Sequence, residues 1–221
     1  MKGIFVTFEG PEGCGKTTQA KLLADLLASM GFNVICTQDP GGTAIGDKIR
    51  EILLDPVNSK MASITELFLF LASRHQLIQE TIKDKLAAGY IVISSRYTDA
   101  TLAYQGYGRG LDLNVLHELN NCATDNIYPD LTILLDIEPE KSVERVKTRS
   151  AYSNKNDLSI GGEDIDRIEQ ELIGFHTRVR EGYLELMKSN PDRIKLIHAD
   201  DTIENVQAEV KELVIDVLDK V

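Results

Sequence analysis

Residues 3 to 18, Gly-Ile-Phe-Val-Thr-Phe-Glu-Gly-Pro-Glu-Gly-Cys-Gly-Lys-Thr-Thr, hold the residue types and spacing that most directly imply chemistry. Gly10, Gly15, Lys16 and Thr17 satisfy G-x-x-x-x-G-K-[ST], with a strand pattern in Ile4 to Phe8 before it and Ala20, Leu22, Leu23, Leu26 and Leu27 at helical spacing after it. Glycines let successive backbone N–H groups turn inward around phosphate oxygens without Cβ clashes, and a helix N-terminus adds partial positive charge. Residues Gly10, Pro11, Glu12, Gly13, Cys14, Gly15, Lys16, Thr17 and Thr18 therefore form an expected phosphate-binding loop. In it Lys16 reaches the β and γ phosphates and the Thr17 hydroxyl ligates Mg²⁺.

The elements that must position this loop follow in alternation. Asn33 to Thr37 reads as a second strand, and Gln-Asp-Pro-Gly-Gly-Thr at 38 to 43 forces a loop after it. Helical periodicity runs from Ala44 to Leu54 and again from Ser63 to Ala88, with Gly89 as the stop. Tyr90 to Ser94, Leu131 to Leu135 and Ile194 to His198 have the form of buried strands. Residues 98 to 128 read as two helices around a flexible glycine-containing loop at 105 to 110, Glu138 to Arg149 as a helix, and Ile203 to Val221 as a closing helix. The pattern predicts an α/β fold, a parallel five-stranded sheet with helices on both faces and ligands at the carboxyl ends of its strands. Ser150 to Asp164 is polar and poor in apolar residues, lies between Arg145, Lys147 and Arg149 on one side and Arg167 on the other, and is expected to be a lid over phosphates.

Composition narrows the partners. With 221 residues, 43% of them hydrophobic, the default is one domain spanning 1–221. No apolar stretch approaches about 18 residues and the first strand begins almost at once, so neither a signal peptide nor a membrane span is expected and the cytoplasm is the expected compartment. Cys14, Cys36 and Cys122 lack metal or disulfide spacing, and Cys14 reads as a small filler of the loop. A net charge of −11 disfavours nucleic acid as partner, whereas arginines at 50, 74, 96 and 109 could gather locally around a small phosphorylated ligand.

A phosphate loop alone leaves GTPases, ATPases and small-molecule kinases open. Asp39-Pro-Gly-Gly fits D-x-x-G and Asn154-Lys-Asn-Asp157 fits N-K-x-D, yet Asp39 follows the loop too closely to leave a switch segment, and the second match sits in the polar lid and not after a buried strand. Three further stretches discriminate: T-E-L-F-L-F-L-A-S-R at 65 to 74, S-R-Y-T-D-A-T-L-A-Y-Q-G at 95 to 106 and D-R-I-E-Q-E at 166 to 171. With G-P-E-G-C-G-K-T-T and D-P-G-G-T, they make the chain resemble bacterial thymidylate kinases of the nucleoside monophosphate kinase class over essentially its whole length.

That resemblance implies transfer of the γ-phosphoryl group of ATP to dTMP, with Mg²⁺, in a homodimer. It implies that the 10 to 18 loop binds ATP. It also implies that Phe70 stacks on thymine, that Arg74 lies beside the base with Thr101 and Gln105 bonding its edge, that Arg50 and Arg96 hold the dTMP phosphate, that Tyr104 lines the sugar and that Glu12 meets its hydroxyl. Phe70 and Tyr104, taken alone, would more often be core residues. The nucleophile, a phosphate oxygen, is already ionised, so the obstacle is charge repulsion, to be met by Lys16, Arg96, Mg²⁺ and a lid arginine. The loop itself lacks arginine, which implies the lid-arginine type, with Arg149 and Arg167 as candidates.

Two positions depart from the family pattern. Ser95 stands where an aspartate is usual and Gln38 where an arginine is usual. The first removes a carboxylate expected to help hold Mg²⁺ through water, for which Asp136 or Glu12 could substitute. A non-catalytic relative is the alternative class; retention of Lys16, Thr17, Arg74 and Arg96 argues for activity.

Overall fold

A computed structural model of the chain describes residues 3–152 and 165–219. Five strands, β1 (Ile4–Glu9), β2 (Val34–Gln38), β3 (Ile91–Ser95), β4 (Leu131–Asp136) and β5 (Ile194–His198), pair in parallel in the order β2-β3-β1-β4-β5. Each lies within one residue of its expected span. β1, β3 and β4 are buried along their whole length, as unbroken apolar runs require when helices cover both faces.

One face is covered by α1 (Lys16–Ser29) and α9 (Ile203–Leu218), which bury Leu23, Leu27, Val206, Val210 and Val214 against Val6, Phe8, Ile93 and Ile133. On the other side, α3 (Ser63–Leu77), α6 (Leu113–Thr124) and α8 (Ile173–Ser189) enclose a second core containing Leu67, Leu116, Phe175, Val179 and Tyr183. α2 (Ala44–Leu54) packs along α3, with the Thr43 side chain accepting from Gly46 N at 2.9 Å as its N-cap. The long helix expected over 63 to 88 is one helical stretch, but α3 passes through a π-helical segment, Ile78–Ile82, before α4 (Lys83–Ala87). α7 (Pro139–Tyr152) continues three residues beyond the expected Arg149. The rest of the expected lid, and the Asn154 to Asp157 match within it, lie outside the described residues.

Two features correct the sequence expectation. The segment expected to be a flexible loop at 105 to 110 is largely helical: α5 (Thr98–Thr101) runs on into a π-helical segment, Leu102–Gly108, in which Tyr104, Gln105, Gly106 and Gly108 are buried. Its glycines serve close packing. A Cβ on Gly108 would stand 2.6 Å from the Phe175 ring of α8, and one on Gly182 of α8 would stand 2.6 Å from the Tyr107 ring. Each element thus offers a glycine to an aromatic ring of the other. The second feature is α8 itself, to which the sequence expectation assigned nothing, although Phe175, Val179, Tyr183 and Leu186 recur at helical spacing and are all buried.

Gly108→Ala should accordingly destabilise the protein by about 1–3 kcal/mol through overpacking. Urea unfolding measures this, and a change below about 0.5 kcal/mol would mean that the two helices do not meet as described.

Candidate active site

The loop after β1 and the segments after β2 and β3 converge at the carboxyl edge of the sheet. In the first, Gly10 has φ 135° and a Cβ there would fall 2.3 Å from the Leu135 carbonyl oxygen of β4, so only glycine lets the loop leave β1 this close to its neighbour. Lys16 is buried, and its Nζ donates to Gly10 O at 3.0 Å and Pro11 O at 2.6 Å. The amine therefore lies inside the curve of the loop, where phosphate oxygens would replace those carbonyls. The Glu12 carbonyl accepts from Ser142 Oγ of α7 at 2.6 Å. Thr17 is exposed in the first turn of α1.

Beside the loop lies a cleft lined by Glu12, Asp39, Arg50, Phe70, Arg74, Arg96, Thr101, Tyr104, Gln105 and Asp166, among others. All eight residues expected to surround the acceptor nucleotide (Glu12, Arg50, Phe70, Arg74, Arg96, Thr101, Tyr104 and Gln105) are in this set. Phe70 is only partly buried and belongs to none of the apolar cores, so its ring is a wall of the cleft. Tyr104 is buried, with its ring in the second core and its hydroxyl in the cleft, donating to Glu12 Oε1 at 3.2 Å.

Arg74, fully buried, donates through Nε to Asp39, through Nη1 to Thr101 Oγ1 and Asn120 Oδ1 (both 2.7 Å), and through Nη2 to Tyr97 O at 3.0 Å. Burial pushes the Asp39 carboxyl upward against the pull of Arg74, and its other oxygen, Oδ1, has no protein partner. Gln105 Nε2 donates to Glu66 Oε1 at 2.9 Å, which fixes the amide with its oxygen free of that bond.

Arg96 sits in the left-handed region, φ 72°. Its guanidinium donates to Gly10 O at 3.1 Å, to Tyr104 Oη at 3.1 Å and to Glu12. Burial would push the Glu12 carboxyl up, but the charges of Arg96 and Lys16 outweigh it and bring it down to about 2. Asp166, across the cleft, is pushed up to about 6 by burial and then by the neighbouring charges of Glu12 and Glu169.

Several expected or possible site groups are placed elsewhere. Arg167 points away from the cleft: its Nε donates to Leu53 O at 2.8 Å and its Nη2 lies 2.7 Å from Glu66 Oε2. It ties the segment before α8 to α2 and α3. Arg109 likewise pairs with Glu66 and Glu171 and does not line the cleft. Arg149 is more than half exposed and pairs with Glu169 at 2.7 Å. Asp136, considered as a stand-in for the aspartate missing at Ser95, is held bidentately by Arg180 of α8 at 2.8 and 2.9 Å. That leaves Glu12 as the carboxylate at the loop. Among the described residues, no group of three or more His, Cys, Asp or Glu side chains is arranged to hold a metal ion, and no helix is long and apolar enough to cross a membrane.

Glu9 was not expected in the site. It ends β1, is completely buried, and accepts from Tyr97 N at 2.7 Å and Tyr183 Oη at 2.8 Å. Its signal in the sequence was a lone acid closing an apolar strand directly before the glycine loop.

The family model for thymidylate kinase matches residues 8–210. The chain belongs to the thymidylate kinase family. It is 46% identical to the thymidylate kinase of Maridesulfovibrio salexigens over 213 residues, 96% of this chain and 95% of that one. Against the thymidylate kinase of a Nostoc species the identity is 42% over 214 residues, 96% of each chain. The crystal structure of the thymidylate kinase of Ehrlichia chaffeensis superposes with a TM-score of 0.74 at 32% identity, covering 97% of this chain and 99% of that one. The alternatives of a GTPase and of an unrelated ATPase are thereby set aside, and the fold is that of a P-loop nucleoside monophosphate kinase.

Burial of Glu9 and the nearby charge of Asp99 push its carboxyl up to about 7. The folded state then holds a proton that the unfolded chain, titrating near the ordinary value of 4.5, has already released, so this group makes stability fall as pH rises between about 4.5 and 7. Glu9→Gln removes the titration while keeping an acceptor. The melting temperature of the variant relative to the parent should rise from pH 5.5 to pH 8; a gap independent of pH would contradict the burial of a titrating Glu9.

Proposed function

We propose that the chain transfers the γ-phosphoryl group of ATP to dTMP, giving ADP and dTDP, as one kinase domain over residues 1–221. The cleft carries this reading: a partly buried aromatic wall, Phe70, stands together with three arginines, Arg50, Arg74 and Arg96, beside a glycine loop whose lysine is turned inward. A flat base and a phosphate are the two groups that such a wall and such guanidinium forks suit.

The 10 to 18 loop holds the ATP phosphates and Lys16 exchanges its carbonyl partners for β and γ oxygens. Phe70 stacks on thymine, the Arg74, Thr101 and Gln105 set faces the base, and Tyr104 and Glu12 face the sugar. Arg50 and Arg96 hold the dTMP phosphate, one oxygen of which attacks the γ phosphorus as the bond to the ADP oxygen breaks. No side chain takes a proton, because the attacking oxygen is already ionised. Lys16 and Arg96 offset the repulsion between the two anions. Arg149, the exposed arginine at the end of α7, is the lid arginine of this reading; the contacts of Arg167 favour a structural role.

Mg²⁺ neutralises phosphate charge when bound with ATP. The hydroxyl of Thr17 is the hard oxygen donor that such an ion prefers, and Glu12, held by Arg96 and Tyr104, is the carboxylate of the loop. The expected compartment is the cytoplasm, with neither nucleic acid nor membrane as partner. The adjacent helices α2 and α3 expose Ile45, Ile52, Ile64 and Phe68, an apolar surface that suits a homodimer. Sedimentation should give twice the monomer mass, and Phe68→Glu should shift it toward one; a monomeric parent would refute this pairing.

A coupled assay with ATP and dTMP should show turnover in the parent that falls by orders of magnitude in Lys16→Ala while the melting curve persists. Near-parental turnover in that variant would remove the assignment. Stacking contributes about 1–3 kcal/mol per base, so Phe70→Ala should raise the KM for dTMP about tenfold or more. A core role for Phe70 predicts instead a lowered melting temperature with KM unchanged.

A further inference from the structure

The proposed chemistry leaves unexplained why a carboxyl is buried one residue before the phosphate loop, where it touches nothing that a substrate would touch. One of its oxygens serves the bend that follows β3. Arg96 N still follows the sheet, donating to Phe8 O at 2.9 Å, and Ser94 Oγ donates to Arg96 O at 2.8 Å. Between these bonds the backbone of Arg96 is left-handed, a conformation that disfavours a side chain with a Cβ and persists only where the surroundings over-determine it. The next amide, Tyr97 N, has left the sheet and donates to Glu9 Oε1 at 2.7 Å. Tyr183 Oη donates to the other oxygen at 2.8 Å and so fixes the plane of the carboxyl. At the head of the side chain, Gly10 O accepts from Arg96 Nη1. Consecutive residues of β1 and its loop therefore hold both ends of Arg96: Glu9 the backbone bend, Gly10 the guanidinium.

We propose that Glu9 is a positioning residue for Arg96: by accepting from Tyr97 N, it locks the left-handed bend that keeps the guanidinium over the phosphate loop, with Tyr183 of α8 setting its orientation. The inference rests on the assignment of Arg96 to the dTMP phosphate and deepens it. It also gives α8 a part in the site, because removing one phenolic hydroxyl on that helix loosens a carboxyl on β1. Other buried polar groups do not compete for this task, since Asp99 is taken up by Arg193 at 2.6 and 2.9 Å on the far side of the network.

The test compares steady-state kinetics and melting curves of Glu9→Met, which fills the volume without a comparable acceptor, Glu9→Gln, which retains one, Tyr183→Phe, Arg96→Ala and the double variant Glu9→Met with Arg96→Ala. Glu9→Met should lower kcat/KM for dTMP by about 10- to 100-fold while the KM for ATP stays within about a factor of two, and Glu9→Gln should restore it. Tyr183→Phe should lower the same quantity by about three- to tenfold, and carries the test if Glu9→Met does not fold. In the Arg96→Ala background, Glu9→Met should produce no further loss. Additive losses in the double variant, equal effects on both substrates, or a parental kcat/KM in Tyr183→Phe and Glu9→Met would each overturn the proposal. A parental kcat/KM in Arg96→Ala alone would instead remove the assignment of Arg96 on which the proposal stands, and so separates the two failures.

Discussion

The buried guanidinium of Arg74 is the interaction on which the cleft depends. A charge removed from water is tolerated only when its donors are met, and removal of one partner from such a pair destabilises by about 3–5 kcal/mol because the other is left uncompensated. Here one cation from α3 meets a carboxylate from the loop after β2, a hydroxyl from α5, an amide oxygen from α6 and the main chain of the bend after β3. All of those segments but α6 supply walls of the cleft. Their relative placement is therefore set by a cation whose best solution is to have all of them present at once, and the bend that carries Arg96 is one of them.

Around this hub the arginines divide into two kinds. Arg109, Arg167, Arg180 and Arg193 are committed to carboxylates away from the cleft, at Glu66 and Glu171, at Glu66, at Asp136 and Glu138, and at Asp99 respectively. They tie α8 and the segment before it to the sheet and to α3. Arg50 and Arg96 line the cleft, and Arg149 stands exposed at the end of α7. In a chain of net charge −11, three arginines, Arg50, Arg74 and Arg96, are thus gathered in one cleft. Ser95, buried at the end of β3 between Phe8 and Gln38, contributes no such charge, and neither does the exposed Gln38.

What was legible in the sequence is what short-range patterns encode. The glycine loop between a strand and a helix and the five strands lie in contiguous runs and fall within one residue of their expected spans, and the eight residues expected around the acceptor, all but Arg50 from contiguous motifs, line one cleft. The misses have a common cause, which is contact between segments distant in the chain. Gly108 reads as flexibility because the ring that needs its space, Phe175, lies some seventy residues away. Nothing near Asp136 or Arg167 in the chain signals that Arg180 of α8 holds the first and that Glu66 and Leu53 O hold the second. Glu9 was passed over because an acid at the end of an apolar strand has no meaning until the bend that it supports is known.

The central claim is that the cleft selects a thymine nucleotide as acceptor. The most direct measurement is the rate of ADP formation from ATP with dTMP, dUMP, dGMP and dCMP supplied separately under identical conditions. The account predicts the highest kcat/KM for dTMP, with dGMP and dCMP below it. A kcat/KM for dGMP or dCMP equal to or above that for dTMP would contradict it.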